Sequence, residues 1–82
     1  MALSVEIMAP DSKIITAEAN YVSAPGVDGM FGVLKGHATM LAELGKGEIR
    51  IDKTDGTNEK INIGGGFLKV KKDRILILAD MT

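Results

Sequence analysis

Alternation of apolar and polar residues is the dominant pattern along this chain. Leu3, Val5 and Ile7 alternate with polar or longer side chains near the start, and the same period of two returns three more times. A period of two places successive side chains on opposite faces of a strand, whereas a helix needs a period near 3.6. The alternating segments are 3–8, 48–52, 60–63 and 68–71. They predict an all-β fold, a flattened β-sandwich or barrel of about eight to ten short, mostly antiparallel strands.

Three further segments depart from simple alternation. Residues 13–24 form a longer run with Ala17, Ala19 and Tyr21 on one side, which predicts a bent strand that serves two sheets. Residues 75–78 lack polar positions, so we expect a strand covered on both faces. Residues 38–44 are too few for a stable isolated helix and predict either one helical turn or another short strand.

Turn chemistry separates these segments. Asp55-Gly56 lies between two alternating runs and predicts a hairpin of 48–53 with 58–63, closed by a primed turn with positive φ. The glycines at spacing three after Pro25 are expected to supply positive φ and room for close backbone packing, and the triple glycine before Phe67 a strong bend or bulge. The structural glycines are Gly26, Gly29, Gly32, Gly36, Gly64, Gly65 and Gly66.

Length and composition narrow the class of protein. The chain has 82 residues, 45% of them hydrophobic and 26% charged, which predicts one soluble domain spanning 1–82. No apolar run approaches the roughly 20 residues of a membrane helix, so no direct bilayer insertion is expected. A net charge of −1 argues against nonspecific nucleic-acid binding. The chain has no cysteine and one histidine, so we expect no metal and no cofactor.

The candidate catalytic and binding residues favour a protein-binding module over an enzyme. The glycine spacing fits neither a dinucleotide fingerprint nor a P-loop, and His37 has no assignable catalytic partner, so we expect no catalytic residues. The carboxylates near 43–48 and 52–55 are expected to be solvated. Six large apolar residues surround the glycine-rich turn, and we expect those outside the core to form an adhesive patch. They are Met30, Phe31, Val33, Leu34, Met40 and Leu41.

A family resemblance emerges from several fragments in fixed order. The fragments are PGVDGMFGVLKGHATMLAELGKGEIRI, INIGGGFLKV and RILILAD, preceded by VEIMAPDSKIITAEANYVSAPG. Together they resemble the N-terminal domain of the epsilon subunit of F-type ATP synthases, called delta in mitochondria. The resemblance implies a non-catalytic rotor part of the central stalk that links the gamma subunit to the polar loops of the membrane c-ring. It further implies a peripheral location on the cytoplasmic face of a bacterial inner membrane.

The resemblance also implies contact residues. His37 matches the histidine of the family's GHA segment, which faces the c-ring loops, whereas the family often has an acidic residue where this chain has Met30. The residues expected toward the c-ring are Asp28, Met30 and His37, and those expected toward gamma are Met40, Leu41 and Ala42. Many family members continue into a C-terminal helical hairpin that inhibits ATP hydrolysis. This sequence stops at Thr82, so we expect no such hairpin, no ATP site and no regulation.

Two other classes of protein stay open from the sequence. A lipoyl or biotinyl carrier domain has similar size and fold, and needs a modified lysine at an exposed hairpin tip. The only candidates are Lys35 and Lys46, and neither has the expected flanking residues. A small phosphate-binding enzyme built on the glycine loops lacks a base, a metal set and a helix N-terminus.

Overall fold

The computed structural model describes residues 3–9, 14–34, 36 and 39–80. Eight strands account for most of this part of the chain, and it contains no helix. They are β1 (Leu3–Met8), β2 (Ile14–Gly26), β3 (Gly29–Leu34), β4 (Met40–Leu44), β5 (Gly47–Lys53), β6 (Asn58–Ile63), β7 (Gly65–Lys71) and β8 (Arg74–Asp80). The all-β prediction is confirmed, and residues 40–44 form the short strand, not the helical turn.

The strands form one hydrogen-bonded sheet that folds over into two layers. Its order is β1-β8-β7-β4-β2-β5-β6, with β3 paired to β2. The first layer contains β1, β8, β7 and β4, and the second contains β3, β5 and β6. All strand pairs are antiparallel except β1 with β8. The domain is flattened, with principal extents of 31 × 23 × 18 Å.

Strand β2 belongs to both layers, as the sequence predicts. Its first half pairs with β1 and its second half with β3 and β5. The register shifts between Ala19 and Tyr21, and this irregularity reverses which side chains face inward. Ala19 is buried before the shift and Val22 after it. Tyr21 therefore lies on the outer face, not on the face of Ala17 and Ala19 as predicted.

The space between the layers is filled by aliphatic side chains alone. No polar or charged residue of the described part is buried. Partly buried Phe31, Met40 and Ile61 extend this core at its margin. The buried residues are Leu3, Val5, Ile7, Ala19, Val22, Ala24, Val33, Leu44, Ile49, Ile51, Ile63, Leu68, Val70, Ile75, Ile77 and Ala79. Every strand contributes to this set, which explains why alternation is visible throughout the sequence.

The β5–β6 hairpin is confirmed, but its turn is not the predicted primed turn. Asp55 has no positive φ, and only Gly56, with φ 89°, does. The backbone N–H of Lys53 donates to the Thr57 carbonyl over 2.8 Å, so the loop contains more than two residues. The tight turn with two positive φ values is instead Lys72-Asp73, at 48° and 62°, between β7 and β8.

The glycine predictions are confirmed in part. Between β2 and β3 only Gly29 has a positive φ, at 129°. Gly32 serves close packing instead, because a side chain there would collide with the ring and hydroxyl of Tyr21. The triple glycine forms the predicted bend, at Gly64 between β6 and β7.

The expectation that residues 75–78 are covered on both faces is wrong. Ile75 and Ile77 are buried, but Leu78 on the opposite face is 48% exposed. Apolar residues at the outward positions of β8 are therefore part of the protein surface. The segment lacks alternation because this surface is apolar, and not because both faces of the strand are buried.

Candidate functional site

An uncovered row of large apolar side chains crosses the outer face of the first layer. Strand register places Ile14 of β2 beside Met8 of β1, Met8 beside Leu78 of β8, and Leu78 beside Phe67 of β7. Neighbouring strands lie about 4.8 Å apart, so these four residues lie side by side across the sheet. We call Ile14, Met8, Leu78 and Phe67 the apolar row.

The apolar row is strongly exposed to solvent. Its side chains are 38–55% exposed, and a shallow groove lined by Met8, Phe67 and Leu78 runs along it. Single exposed apolar residues are normal, but contiguous ones mark interaction surfaces. Nothing in the fold requires four of them side by side. The arrangement therefore indicates an interaction surface.

The residues expected toward gamma lie on two faces of β4. Leu41 points outward and is 72% exposed, one row along from Phe67 on the same face as the apolar row. Met40 packs against the core, and Ala42, opposite the buried Leu68, is partly buried. Strand alternation thus leaves Leu41 as the member of this set that is freely presented at the surface.

Two of the three residues expected toward the c-ring, Asp28 and Met30, lie at the start of β3. Asp28 is exposed in the two-residue turn before β3, and Met30 is 64% exposed at its beginning. Gly36 follows the other end of the strand, about 17 Å away for six residues. His37 comes next in the sequence and lies outside the described residues, as does Lys35. A contact that includes Asp28 and the segment at Gly36 must therefore run along β3.

Strand β3 is suited to such a lengthwise contact. It pairs with β2 on one side only, among the described strands. Leu34, which sequence reasoning placed in the apolar patch but not in a contact set, is 59% exposed at its far end. A groove between β3 and β4 has Asp28 on one side and Leu41 on the other. Residues assigned to two different partners thus lie close to one another.

A side-chain hydrogen bond holds the far end of β3. The Asp73 carboxylate accepts a hydrogen bond from the backbone N–H of Gly36 over 2.8 Å, although 37 positions separate them. The backbone N–H of Ser4 donates to the carbonyl oxygen of Asp73, also over 2.8 Å. The β7–β8 turn therefore connects the start of β1 with the segment that precedes His37.

The ionisable groups of the described part are surface groups. Hydrogen bonds from the Thr57 hydroxyl and N–H lower the pKa of Asp55, and the hydrogen bond to Glu59 raises the pKa of Lys53. Asp52 contacts Arg50 over 3.0 Å. Residues 3–9, 14–34, 36 and 39–80 hold no cluster of three His, Cys, Asp or Glu side chains suited to a metal. None of these pairs is arranged for acid-base catalysis.

The candidate carrier lysine is poorly placed for that role. Lys46 is exposed in the bend between β4 and β5, but those two strands do not pair with one another. It is therefore not at a hairpin tip, where a carrier domain presents its modified lysine. Across the described residues, no helix is long and apolar enough to cross a membrane.

Sequence reasoning missed the apolar row. Its signal was present, because Phe67 and Leu78 are apolar at outward positions of their strands. The pattern of apolar residues does not predict the strand register that brings them beside Met8 and Ile14. This register depends on the parallel pairing of β1 with β8, two segments at opposite ends of the chain.

Comparison with solved structures supports the fold. The chain superposes with a TM-score of 0.88 on a chain of the Euglena gracilis mitochondrial ATP synthase, from a structure containing OSCP, F1 and the c-ring. The identity is 21%, over 95% of this chain and 50% of that chain. A chain from the central stalk and c-ring of the Tetrahymena thermophila mitochondrial enzyme gives 0.80 at 17% identity, over 100% of this chain and 65% of that one.

Sequence comparison gives closer relatives. The ATP synthase epsilon chain of Chlorobaculum tepidum is 37% identical over 96% of this chain and 90% of its own length. That of Polynucleobacter necessarius is 32% identical over 95% of this chain, which spans 56% of the relative. Residues 2–82 match the family described as "ATP synthase, Delta/Epsilon chain, beta-sandwich domain". The chain belongs to this family of ATP synthase delta and epsilon chain β-sandwich domains.

Proposed function

We propose that this protein is a non-catalytic rotor subunit of the ATP synthase central stalk, and that it links the gamma subunit to the c-ring. The proposal rests on family membership together with one structural observation, the exposed apolar row. It places the protein peripherally on the membrane, on the cytoplasmic face in a bacterial host. The subunit transmits rotation and supports coupling of proton flow to ATP synthesis, without turnover of its own.

The apolar row is assigned to the gamma subunit. A contact that must not slip during rotation needs a large, dry interface, and stable protein interfaces bury at least about 1,000 Å² in total. Ile14, Met8, Leu78 and Phe67 supply adjacent side chains for the centre of such an interface. Leu41 of β4 extends it by one row.

The β2–β3 turn and the outer side of β3 are assigned to the c-ring. Polar loops are matched by a polar and mixed surface, which Asp28 and Met30 provide. Leu34 extends this contact along β3 toward Gly36. The adaptor then binds its two partners on different layers, which are held together by the shared aliphatic core. Hydrogen-bonded sheets on such a core resist shear better than a loop or a lone helix.

The test uses matched exposed positions on the two layers. Phe67→Glu or Leu78→Glu is expected to abolish co-elution with the gamma subunit of the same source, because a charge replaces an apolar anchor. Leu34→Glu, at a position of similar exposure on β3, should leave gamma binding intact and weaken association with c-ring-containing membranes. Far-UV circular dichroism checks that each variant folds. Gamma binding that survives both Phe67→Glu and Leu78→Glu would refute the assignment.

The carrier-domain alternative has its own measurement. Intact mass of the chain purified from its host reports any lipoyl or biotinyl group. We expect the unmodified mass, because Lys46 is not at a hairpin tip. A modified Lys35 or Lys46 would favour the carrier function.

A further inference from the structure

A cluster of cations lies on the β7–β8 hairpin. Lys69, Lys71, Lys72 and Arg74 are four of the ten Lys and Arg residues of the chain, within six consecutive positions. All four are exposed. We call them the basic hairpin. The whole chain has a net charge of −1, so this concentration of positive charge differs strongly from the nearly balanced charge of the chain.

None of the four cations forms an ion pair with another described residue, although Glu6 lines the same groove as Lys71 and Arg74. The ion pairs among the described residues are Arg50 with Asp52 and Lys53 with Glu59, and both lie in the second layer. The one acid between Lys69 and Arg74 is Asp73, whose carboxylate oxygen accepts the hydrogen bond from Gly36. Ion pairs among the described residues therefore do not explain the four cations.

The charge pairing and the turn conformation of the basic hairpin destabilise the isolated fold. Register places Lys71 directly opposite Arg74, and like charges at opposed positions of a strand pair are destabilising. Lys72 adopts a φ of 48°, a left-handed conformation that is unfavourable for lysine. Local conflicts of this kind are typical of functional surfaces.

The basic hairpin is continuous with the apolar row. Lys69, Lys71 and Arg74 point to the same outer face of the first layer. Leu76, partly buried, lies between Lys69 and Glu6 in the row next to Leu78. A groove lined by Glu6, Lys71, Arg74 and Leu76 occupies this half of the face. One surface thus passes from an apolar strip into a charged strip.

We infer that the basic hairpin binds an acidic segment of the same protein that covers the apolar row. This inference rests on the proposed function, in which that protein is the gamma subunit. Glu6 and Glu18 share the charged rows with Lys69 and Arg74, on the β1 and β2 side. Acids in these positions repel a uniformly anionic surface such as a phospholipid membrane, whereas a protein segment matches them with cations of its own.

The experiment measures the affinity of the full chain for gamma as a function of salt. Lys71→Glu/Arg74→Glu should weaken binding roughly tenfold at low ionic strength, because two attractive contacts become repulsive. The effect should shrink at about 0.5 M salt, where charges are screened beyond about 4 to 5 Å. Lys60→Glu is the control, since Lys60 is exposed on β6 in the second layer. It should bind gamma as the wild type does.

The outcomes separate this inference from the proposed function. Wild-type affinity of the double variant, with binding lost in Phe67→Glu, overturns the inference and leaves the proposed function intact. Wild-type affinity of both variants overturns both. If the double variant weakens gamma binding and Phe67→Glu does not, the acidic contact with gamma is retained, but gamma is not the protein that covers the apolar row. Vesicles containing phosphatidylglycerol provide a separate test. Binding by the wild type that the double variant loses would identify a lipid in place of a protein segment.

Discussion

Substitution of Gly66 by alanine should break the contact between β7 and β8. Gly66 has a φ of 147°, a conformation essentially restricted to glycine. A Cβ atom there would collide with the carbonyl oxygen of Leu78 and lie 3.0 Å from the Cα of Ala79. Both neighbours are backbone atoms of a central strand, so neither moves without shifting β8. Gly65 is the matched control, with a φ of 151° and only an ordinary 3.4 Å contact to the Leu44 carbonyl.

The two substitutions differ by the collision alone. The unfavourable φ costs each variant about 1 to 3 kcal/mol. Displacement of β8 adds the loss of at least one ladder hydrogen bond, and a backbone group left unpaired costs about 1 to 3 kcal/mol. Gly66→Ala should therefore lower the free energy of unfolding by about 2 to 6 kcal/mol. A domain of this size has roughly 4 to 12 kcal/mol in total, so the variant will be close to unfolding.

Urea unfolding followed by far-UV circular dichroism measures both variants, since the chain has no tryptophan and one tyrosine. We expect Gly65→Ala to fold with a lower midpoint and Gly66→Ala to be largely unfolded at 37 °C. Coincident midpoints for the two variants would refute the reasoning, because they would show that β8 accommodates the added methyl group freely.

Three further predictions concern turns. Lys72→Asn should raise the free energy of unfolding by up to about 1 kcal/mol, because asparagine tolerates the left-handed φ. The control Lys72→Gln removes only the charge and should raise it less. Equal increases in the urea midpoint would assign the effect to charge. Asp73→Ala should lower the free energy of unfolding by about 1 to 2 kcal/mol and speed amide exchange at Gly36. Asp73→Asn keeps an acceptor oxygen and should lower it less. Unchanged exchange at Gly36 in Asp73→Ala would contradict the hydrogen bond. The pKa of Asp55 is lowered in the folded state, so its stabilisation is complete above its unfolded value near 3.8 and is lost as pH falls through the folded value. Thr57→Val removes the hydroxyl donor and should flatten this acid limb in pH-dependent urea midpoints, and an unchanged limb would show that Thr57 is not its cause.

The sequence was sufficient to predict most of the strands, but not β3 and not the register. The hairpin prediction located β5 and β6 to within one residue, because each strand has one buried and one exposed face. Alternation failed at Tyr21, since an irregularity in β2 reverses the inward face without any change in the local apolar count. It failed again at Leu78, because a run of apolar residues is the same whether the second face is buried or exposed. Only the pairing of β8 with β1 and β7 distinguishes these two cases.

The chemistry of the turns was predicted less well for a related reason. Asp55-Gly56 is the favoured sequence for a tight primed turn, yet the chain places that conformation at Lys72-Asp73. Asp73 contacts Ser4 and Gly36 through its backbone and side chain, and these long-range contacts compensate for an unfavourable φ. A local preference is therefore overruled where a turn is also a junction between distant segments.

The first layer carries several features on its outer face that do not stabilise the isolated fold. This face contains the apolar row, the opposed pair Lys71 and Arg74, and the strained turn that joins their strands. The outer face of the second layer carries such features too, because β3 exposes Met30 and Leu34 and strand register places Arg50 opposite Lys60. There, however, Arg50 also pairs with Asp52. Features of this kind are typical of functional surfaces. The first layer differs in that its apolar row is continuous with a cluster of four cations, which favours its outer face as an interaction surface.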